Sequence, residues 1–83
     1  MKYRKKPVVI EAMEFTEDSK DRVFNWVTCN READFMDGAP VLRIQTTEGV
    51  MTARFGDFVI KGIAGEFYPC RSDIFAATYE PAE

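Results

Sequence analysis

Residues 55–70 have the sequence FGDFVIKGIAGEFYPC, and this stretch is the most informative part of the chain for predicting its fold. It contains two short apolar runs separated by glycines, a pattern typical of two strands joined by a tight turn. We therefore predict strands over Phe58–Gly62 and Glu66–Cys70, with the bend at Ala64-Gly65. Because Pro69 has no N–H to donate to a neighbouring strand, we predict that the second strand lies at a sheet edge.

The residues before this stretch predict an antiparallel hairpin. Apolar and polar side chains alternate over Val41–Thr46 and again over Val50–Phe55, and Thr47-Glu48-Gly49 supplies the turn between them. Gly56-Asp57 marks the next turn. Further upstream, Cys29–Pro40 is polar and has few apolar residues, so we predict a loop there.

The N-terminal part of the chain predicts a strand followed by a helix. Pro7–Phe15 reads as a strand, since proline is tolerated where a strand begins. Ser19–Thr28 has apolar side chains three and four residues apart, which predicts an amphipathic helix, with Thr16 as its cap. We expect Trp26 on this helix to be a core anchor, and a ligand-stacking role is the alternative.

The C-terminal part predicts a short helix that begins at Ser72, has Asp73 in its first turn and stops at Pro81. The order of elements then predicts an α+β fold. We expect a single domain over residues 1–83, with a mostly antiparallel sheet of about five strands, one amphipathic helix after the first strand and a short C-terminal helix. A chain of 83 residues buries a thin core, so we also expect a homo-oligomer.

The charge balance argues against general binding of nucleic acid. The chain has 11 Lys and Arg residues against 14 Asp and Glu residues, a formal net charge of -3, whereas affinity for phosphate backbones needs clustered basic residues. A local exception is the N-terminal group of Lys2, Arg4, Lys5 and Lys6. A solvated terminus is the simpler interpretation of this group, and an arm that contacts an acidic partner is the alternative.

Cysteine and histidine usage argues against a metal site. The chain has two cysteines, Cys29 and Cys70, and no histidine, so we predict no zinc site and no cofactor. We expect both thiols to be free and buried in a reducing cytoplasm, because no secretory signal is visible. No apolar run approaches the roughly 18 residues of a membrane-spanning helix, so we expect no membrane contact.

Candidate catalytic residues are few, and we predict no catalytic site. Without histidine, the usual activated serine or cysteine arrangements cannot form. Cys70 could be activated by Arg71, since a neighbouring cation lowers the pKa of a thiol, but a small buried strand residue is the simpler interpretation. Asp57, Asp73 and Glu66 could pair as acid and base. However, Asp57 also suits a turn and Asp73 a helix start.

Four residues are the candidates for binding a ligand or a partner: Lys61, Glu66, Tyr68 and Arg71. A cross-strand ion pair between Lys61 and Glu66 is the simpler interpretation, and a polar pair that anchors a ligand beside Phe67 or Tyr68 is the alternative. Tyr68 and Arg71 would suit stacking on a nucleotide or pairing with its charge. No Gly-rich phosphate loop precedes a helix in this sequence.

Two blocks of the sequence resemble a family of small bacteriophage and prophage proteins. The first block is RKKPVVIEA (4–12), and the second comprises GDFVIKG (56–62), GEFYPC (65–70), DIF (73–75) and TYE (78–80). The family has a Pro-Gly-Asp-aromatic segment, a Lys-Gly pair and a Gly-Glu-aromatic-Tyr-Pro-Cys segment. This chain departs from the family at Phe55 and Ser72, where proline is usual. The resemblance covers about half of the chain, at both ends.

The resemblance implies a phage-encoded accessory protein located in the host bacterial cytoplasm. Together with the residue analysis, it leads us to expect a protein that is not an enzyme and that acts by binding, as a homo-oligomer. Such a protein would inhibit a host protein or sequester a small nucleotide signal. The alternatives are a small enzyme that acts on a nucleotide through Asp57, Glu66 or Cys70, and a minor structural component of the virion.

Overall fold

The computed structural model describes residues 1–3 and 9–81. The helices and strands in chain order are β1 (Glu11–Glu14), α1 (Lys20–Trp26), β2 (Arg31–Met36), β3 (Ala39–Thr46), β4 (Gly49–Ala53), β5 (Phe58–Lys61), β6 (Phe67–Cys70) and α2 (Ser72–Thr78). The beginning of the predicted first strand, Pro7-Val8, and the basic residues Arg4, Lys5 and Lys6 lie outside the described residues.

The described strands form two antiparallel sheets. One sheet has the order β1-β5-β6 and the other the order β2-β3-β4. The α+β class and the two short helices are therefore confirmed. The prediction of one sheet with about five strands is wrong, because the sequence shows which segments alternate but not which of them pair.

The additional strand is β2, which falls in the segment predicted to be a loop. Arg31–Met36 pairs antiparallel with β3, with Asp34 opposite Val41. The two strands are joined by Asp37-Gly38, whose φ angles of 53° and 80° are both positive. Positive φ at both central residues is the signature of a type I′ hairpin turn, and Asp-Gly is a preferred sequence for it. The polar side chains of the strand masked this turn signal in the sequence.

The other two hairpins form as predicted. β3 and β4 are joined at Thr47-Glu48, and Ile44 lies opposite Met51. β5 pairs with β6, and Ile60 lies opposite Tyr68. β6 is at the edge of its sheet, as the proline at position 69 predicts.

Both sheets pack against α1 around one hydrophobic core. Its buried members are Phe15, Val23, Val27, Leu42, Ile44, Ala53, Val59 and Phe67. Trp26 packs against this core, with its ring centroid 5.2 Å from that of Phe67 in an edge-to-face arrangement. The role of Trp26 as a core anchor is therefore confirmed, and it accounts for the indole without a ligand.

The start of α1 is held by Thr16 and Ser19 together. The backbone N–H of Thr16 donates to Ser19 Oγ at 2.9 Å, and the backbone N–H of Ser19 donates to Thr16 Oγ1 at 3.2 Å. The hydroxyl of Ser19 donates to the carbonyl of Glu14. Ser19 is the N-cap residue and is buried. These bonds join the end of β1 to the N-cap residue of α1, which is Ser19 and not the predicted Thr16, and the Ser19 side chain makes no hydrogen bond to the first turn of the helix.

α2 covers the outer face of the β1-β5-β6 sheet, but none of its residues is buried. The ring of Phe75 stacks on Phe58, with a centroid distance of 4.1 Å, and Tyr79 lies 5.1 Å from Phe75. Arg71, and not the predicted Ser72, is the N-cap residue, and it makes no side-chain cap hydrogen bond. Aromatic stacking therefore holds α2 in place. No helix among the described residues is long and apolar enough to cross a membrane.

Candidate functional site

The predicted ion pair between Lys61 and Glu66 does not form. Lys61 lies opposite Phe67 in the β5–β6 register, which leaves Glu66 in the turn. The Nζ atom of Lys61 is 4.0 Å from Oε2 of Glu11 on the neighbouring strand β1, and it lies 5.9 Å from the ring centroid of Phe67. The side chains of this ion pair are well exposed, so the pair adds little stability.

Glu66 is a turn residue. Its Oε1 accepts a hydrogen bond from the backbone N–H of Ala64 at 3.1 Å, and its carbonyl accepts one from Gly62 at 2.7 Å. The carboxylate folds back over Gly62 so closely that a Cβ atom there would overlap it. The conformation of Glu66 and the glycine at position 62 therefore depend on each other, which explains this part of the sequence without a ligand.

Tyr68 lies half-buried on the face of the β1-β5-β6 sheet that α2 covers. Burial raises its pKa to about 12, and the neighbouring hydroxyl of Tyr79 adds to the shift. Burial disfavours the charged phenolate, so this side chain is a neutral hydrogen-bonding group at physiological pH.

Arg71 is engaged by the first turn of α2. Its Nη2 and Nε atoms donate to the carboxylate of Asp73 at 2.7 and 3.2 Å. These hydrogen bonds hold the pKa of Asp73 below its ordinary value and raise the pKa of Arg71. The positive charge of Arg71 is thus matched within the chain, which weakens its suitability for a phosphate.

The candidate catalytic groups have structural roles. Oδ2 of Asp57 accepts a hydrogen bond from the backbone N–H of Arg54 at 2.9 Å and fixes the turn before β5. Burial raises the pKa of the Cys70 thiol, and the carboxylates of Asp57 and Asp73 add to the shift. This direction is the opposite of what a nucleophilic thiol requires. Cys29 and Cys70 are both free and half-buried.

Two of the four predicted binding residues share a cleft of about 490 Å³ between the two sheets. We call this concavity the inter-sheet cleft. One side is formed by the β3–β4 hairpin, with Thr47, Glu48 and Met51, and the other by the start of β6, with Glu66, Phe67 and Tyr68. The structure thus brings Glu66 and Tyr68 together, whereas Lys61 and Arg71 are not among the residues that line this cleft.

The inter-sheet cleft combines apolar walls with negative charge. Met51 supplies exposed apolar surface, Phe67 lies almost fully buried beneath it, and Glu48 and Glu66 supply two carboxylates, while no lysine or arginine is among the described lining residues. A concavity lined by one sign of charge attracts groups of the opposite sign. The cleft is therefore suited to an apolar side chain next to a positively charged group.

Sequence reasoning missed the hairpin side of the cleft. Thr47 and Glu48 read as turn residues, and Met51 alternates onto the core-facing side of β4. No sequence signal separates Met51 from a core residue; only the structure shows that it keeps 39% of its surface exposed although Ala53 on the same face is fully buried.

A larger hollow of about 600 Å³ lies between the residues that precede β1 and α2. The described residues around it include Ile10, Phe58, Phe75 and Tyr79. It contains neither Glu66 nor Arg71 among those residues, so the predicted binding residues do not converge there. Among the residues that the structure describes, no group of three His, Cys, Asp or Glu side chains is arranged to hold a metal ion.

Comparison of this chain with family models, with curated protein sequences and with solved structures finds no match.

Proposed function

We propose that the protein is a phage-encoded accessory protein that acts by binding a host protein through the inter-sheet cleft, and that it does so as a homo-oligomer. One observation carries the proposal. The cleft places two carboxylates, Glu48 and Glu66, beside the apolar side chains of Met51 and Phe67. An apolar centre with a charged rim is the usual composition of a protein-binding patch.

The charges of the cleft favour a polypeptide over a nucleotide signal. The phosphates of a nucleotide would approach Glu48 and Glu66 without a lining cation to offset the repulsion. The residue predicted to pair with the charge of a nucleotide, Arg71, already donates two hydrogen bonds to Asp73. We therefore favour host-protein binding over sequestration of a nucleotide.

The same geometry defines the partner segment. An apolar side chain of the partner would contact the exposed side chain of Met51, and a lysine or arginine close to it in the partner would reach Glu48 or Glu66. Glu48 is exposed, and its side chain makes no hydrogen bond that holds the turn, since the turn uses its backbone N–H. Glu48 is thus available for a contact with the partner.

The phage origin is supported by the sequence blocks quoted above. In the structure, most of the second block specifies local conformation, with Gly62 and Glu66 in one turn, Asp57 in another and Pro69 on an edge strand. A family that shares these residues would share the fold of this region. The hairpin side of the inter-sheet cleft lies outside both blocks, so the partner need not be common to the family.

The proposal can be tested by photo-crosslinking in bacterial cells that express the protein. A photoreactive phenylalanine analogue at Thr47, inside the cleft, should give a specific adduct with one host polypeptide. The same analogue at Thr78, exposed on α2, is the positional control. Glu48→Lys should abolish the adduct, whereas Glu80→Lys, the same charge change at an exposed position outside the cleft, should preserve it.

Equal labelling from positions 47 and 78, or labelling that Glu48→Lys leaves unchanged, would contradict binding at the cleft. Native mass spectrometry of the protein purified from the same cells is the second measurement. A nucleotide retained in stoichiometric amount would favour sequestration and overturn the proposed protein partner.

A further inference from the structure

Among the described residues, β2 is an edge strand with one side open to pairing with another strand. It lies at the end of the β2-β3-β4 sheet, and no other strand of the described residues pairs with its outer side. Of the other described edges, β6 contains Pro69 and β4 packs closely against β6, whereas β1, like β2, has charged side chains. An open edge is a template for a further strand, although one backbone donor of β2, the N–H of Phe35, donates to Oδ1 of Asp34 at 2.8 Å and would have to be released on pairing.

One face of β2 has an exposed aromatic ring and a fixed cation. Arg31, Ala33 and Phe35 share this face, because side chains alternate along a strand. Phe35 is 69% exposed. The guanidinium of Arg31 lies 4.3 Å from the ring centroid of Phe24 on α1, and its Nε donates to the carbonyl of Phe24 at 2.9 Å. The position of Arg31 is therefore set by α1, and one side of its guanidinium is already stacked.

We infer that β2 is the interface between two copies of this chain, which pair antiparallel about a two-fold axis that passes through Ala33. This inference rests on the proposed homo-oligomer and names its interface. In this register Ala33 faces Ala33 of the second copy, and Arg31 faces Phe35 of the second copy. The two sheets then form one continuous sheet across the axis.

The register brings complementary groups together on the face that holds Phe35. Each exposed Phe35 ring reaches the Arg31 guanidinium of the other copy and extends the stack already formed with Phe24. A cation over an aromatic ring is attracted to it, and more so when the pair is shielded from water. A groove of about 350 Å³ between Phe24 and the β2–β3 hairpin leaves room on this side for the added ring.

The opposite face of β2 tolerates the same register. Glu32 would face Asp34 of the second copy, and these like charges would repel if they were isolated. However, Nε of Arg43 donates to Asp34 at 2.9 Å, and Arg43 is also the residue opposite Glu32 in the β2–β3 register. Two arginines thus lie among the four carboxylates of the interface. The remaining excess of negative charge predicts a dimer that is tighter at high ionic strength.

A second copy fits this edge better than an unrelated strand, because β2 is complementary to itself under two-fold symmetry. The ring and the cation lie at equal distances on either side of Ala33, so one rotation satisfies both pairs at once. A strand from another protein would need a cation and an aromatic side chain at the same spacing. The small side chain of Ala33 allows close approach at the axis.

Disulfide trapping tests both the surface and the register. In a Cys29→Ser, Cys70→Ser background, Ala33→Cys should form a covalent dimer under mild oxidation, because Cβ atoms of directly opposed residues are about 4.5–5.5 Å apart and small adjustments allow a disulfide. Phe35→Cys is the matched control. In this register it lies about 13 Å from its counterpart, four strand residues away, and should not crosslink.

Light scattering of the unmodified protein tests whether an oligomer exists, separately from whether β2 forms its interface. A monomer at about 100 μM would overturn both the homo-oligomer and this interface, since a specific dimer should have a dissociation constant below that concentration. An oligomer in which Ala33→Cys fails to crosslink, or in which Phe35→Cys crosslinks instead, would overturn the interface and leave the oligomer standing.

A second variant covers the case in which the cysteine variants fold poorly. Phe35→Ala removes an exposed ring and should leave the circular dichroism spectrum unchanged, while it raises the dimer dissociation constant at least about tenfold. Ile74→Ala, which removes a half-exposed apolar side chain from α2, is its control and should not change dimerisation. An unchanged dissociation constant for Phe35→Ala would overturn the interface.

Discussion

The two helices have the same length of seven residues but contribute differently to the fold. α1 buries Val23 completely, and Val27, which follows the helix, is also buried against both sheets. α2 buries no residue and is held on the outer face of the β1-β5-β6 sheet by the stack of Phe58, Phe75 and Tyr79. We call these two sides of that sheet the core side and the cover side. Stability is therefore expected to depend mainly on the core side.

The largest expected effect is that of Phe67→Ala on the core side. Phe67 is 3% exposed and contacts Trp26 edge-to-face. Removing a buried phenylalanine side chain costs transfer free energy and leaves a cavity, so we expect a loss of about 3–5 kcal/mol. Urea denaturation, followed by tryptophan fluorescence, measures this loss. A cost below about 1.5 kcal/mol would contradict the position of the core.

The matched substitution on the cover side is Phe75→Ala. Its ring is half-buried and stacks on Phe58, so we expect a smaller loss, about 1–2 kcal/mol. Hydrogen exchange should show faster exchange of α2 amides, while the amides of α1 keep their protection. If Phe75→Ala destabilises the protein as much as Phe67→Ala does, the distinction between core and cover is wrong.

Much of the secondary structure could be predicted from the sequence, since local patterns specify α1, the β3–β4 hairpin and the β5–β6 pair. The pairing of β1 with β5, and hence the separation into two sheets, could not be predicted, because alternation does not identify the partner of a strand. β2 was missed because its charged residues outweighed the Asp37-Gly38 turn signal.

The candidate site was predicted only on one of its sides. The predicted residues Glu66 and Tyr68 line the cleft, but the ion pair between Lys61 and Glu66 and a shared nucleotide contact of Tyr68 and Arg71 were inferred from closeness in sequence. The observed register places Lys61 opposite Phe67, and Arg71 binds Asp73. The other side comes from the second sheet, whose packing against β6 depends on the three-dimensional arrangement.

Two serines, one at the start of each helix, allow the stability contributions of the two helix starts to be compared. Ser19→Ala should cost about 1–2 kcal/mol, because it removes the buried hydroxyl that bonds to Thr16 and Glu14. Ser72→Ala, at the start of α2, should cost less than about 0.5 kcal/mol, because Ser72 is exposed and is not the cap residue. Thermal or urea unfolding of the pair measures the difference, and equal costs would contradict it.

Comparison with Tyr68→Phe should isolate the pH dependence of stability that Tyr68 contributes on the cover side. Because the pKa of Tyr68 is raised from 10.0 to about 12 in the folded protein, its contribution to stability is complete below pH 10 and is lost as the pH rises through 12. Urea midpoints measured between pH 9 and pH 12 should fall less steeply in Tyr68→Phe than in the unmodified protein. Identical slopes would mean that Tyr68 is not buried by α2.

A smaller effect than that of Ser19→Ala is expected in the turn that joins β5 to β6. A methyl group at Gly62 would displace the Glu66 carboxylate. Because this carboxylate is the mobile end of a side chain, Gly62→Ala should cost only the hydrogen bond to Ala64, about 0.5–1 kcal/mol. In a Glu66→Ala background the same substitution should cost almost nothing further, since the atoms that it displaces are absent. A double-mutant cycle measured by urea unfolding gives the coupling energy. Additive costs would show that Gly62 is required by the backbone itself and not by the Glu66 carboxylate.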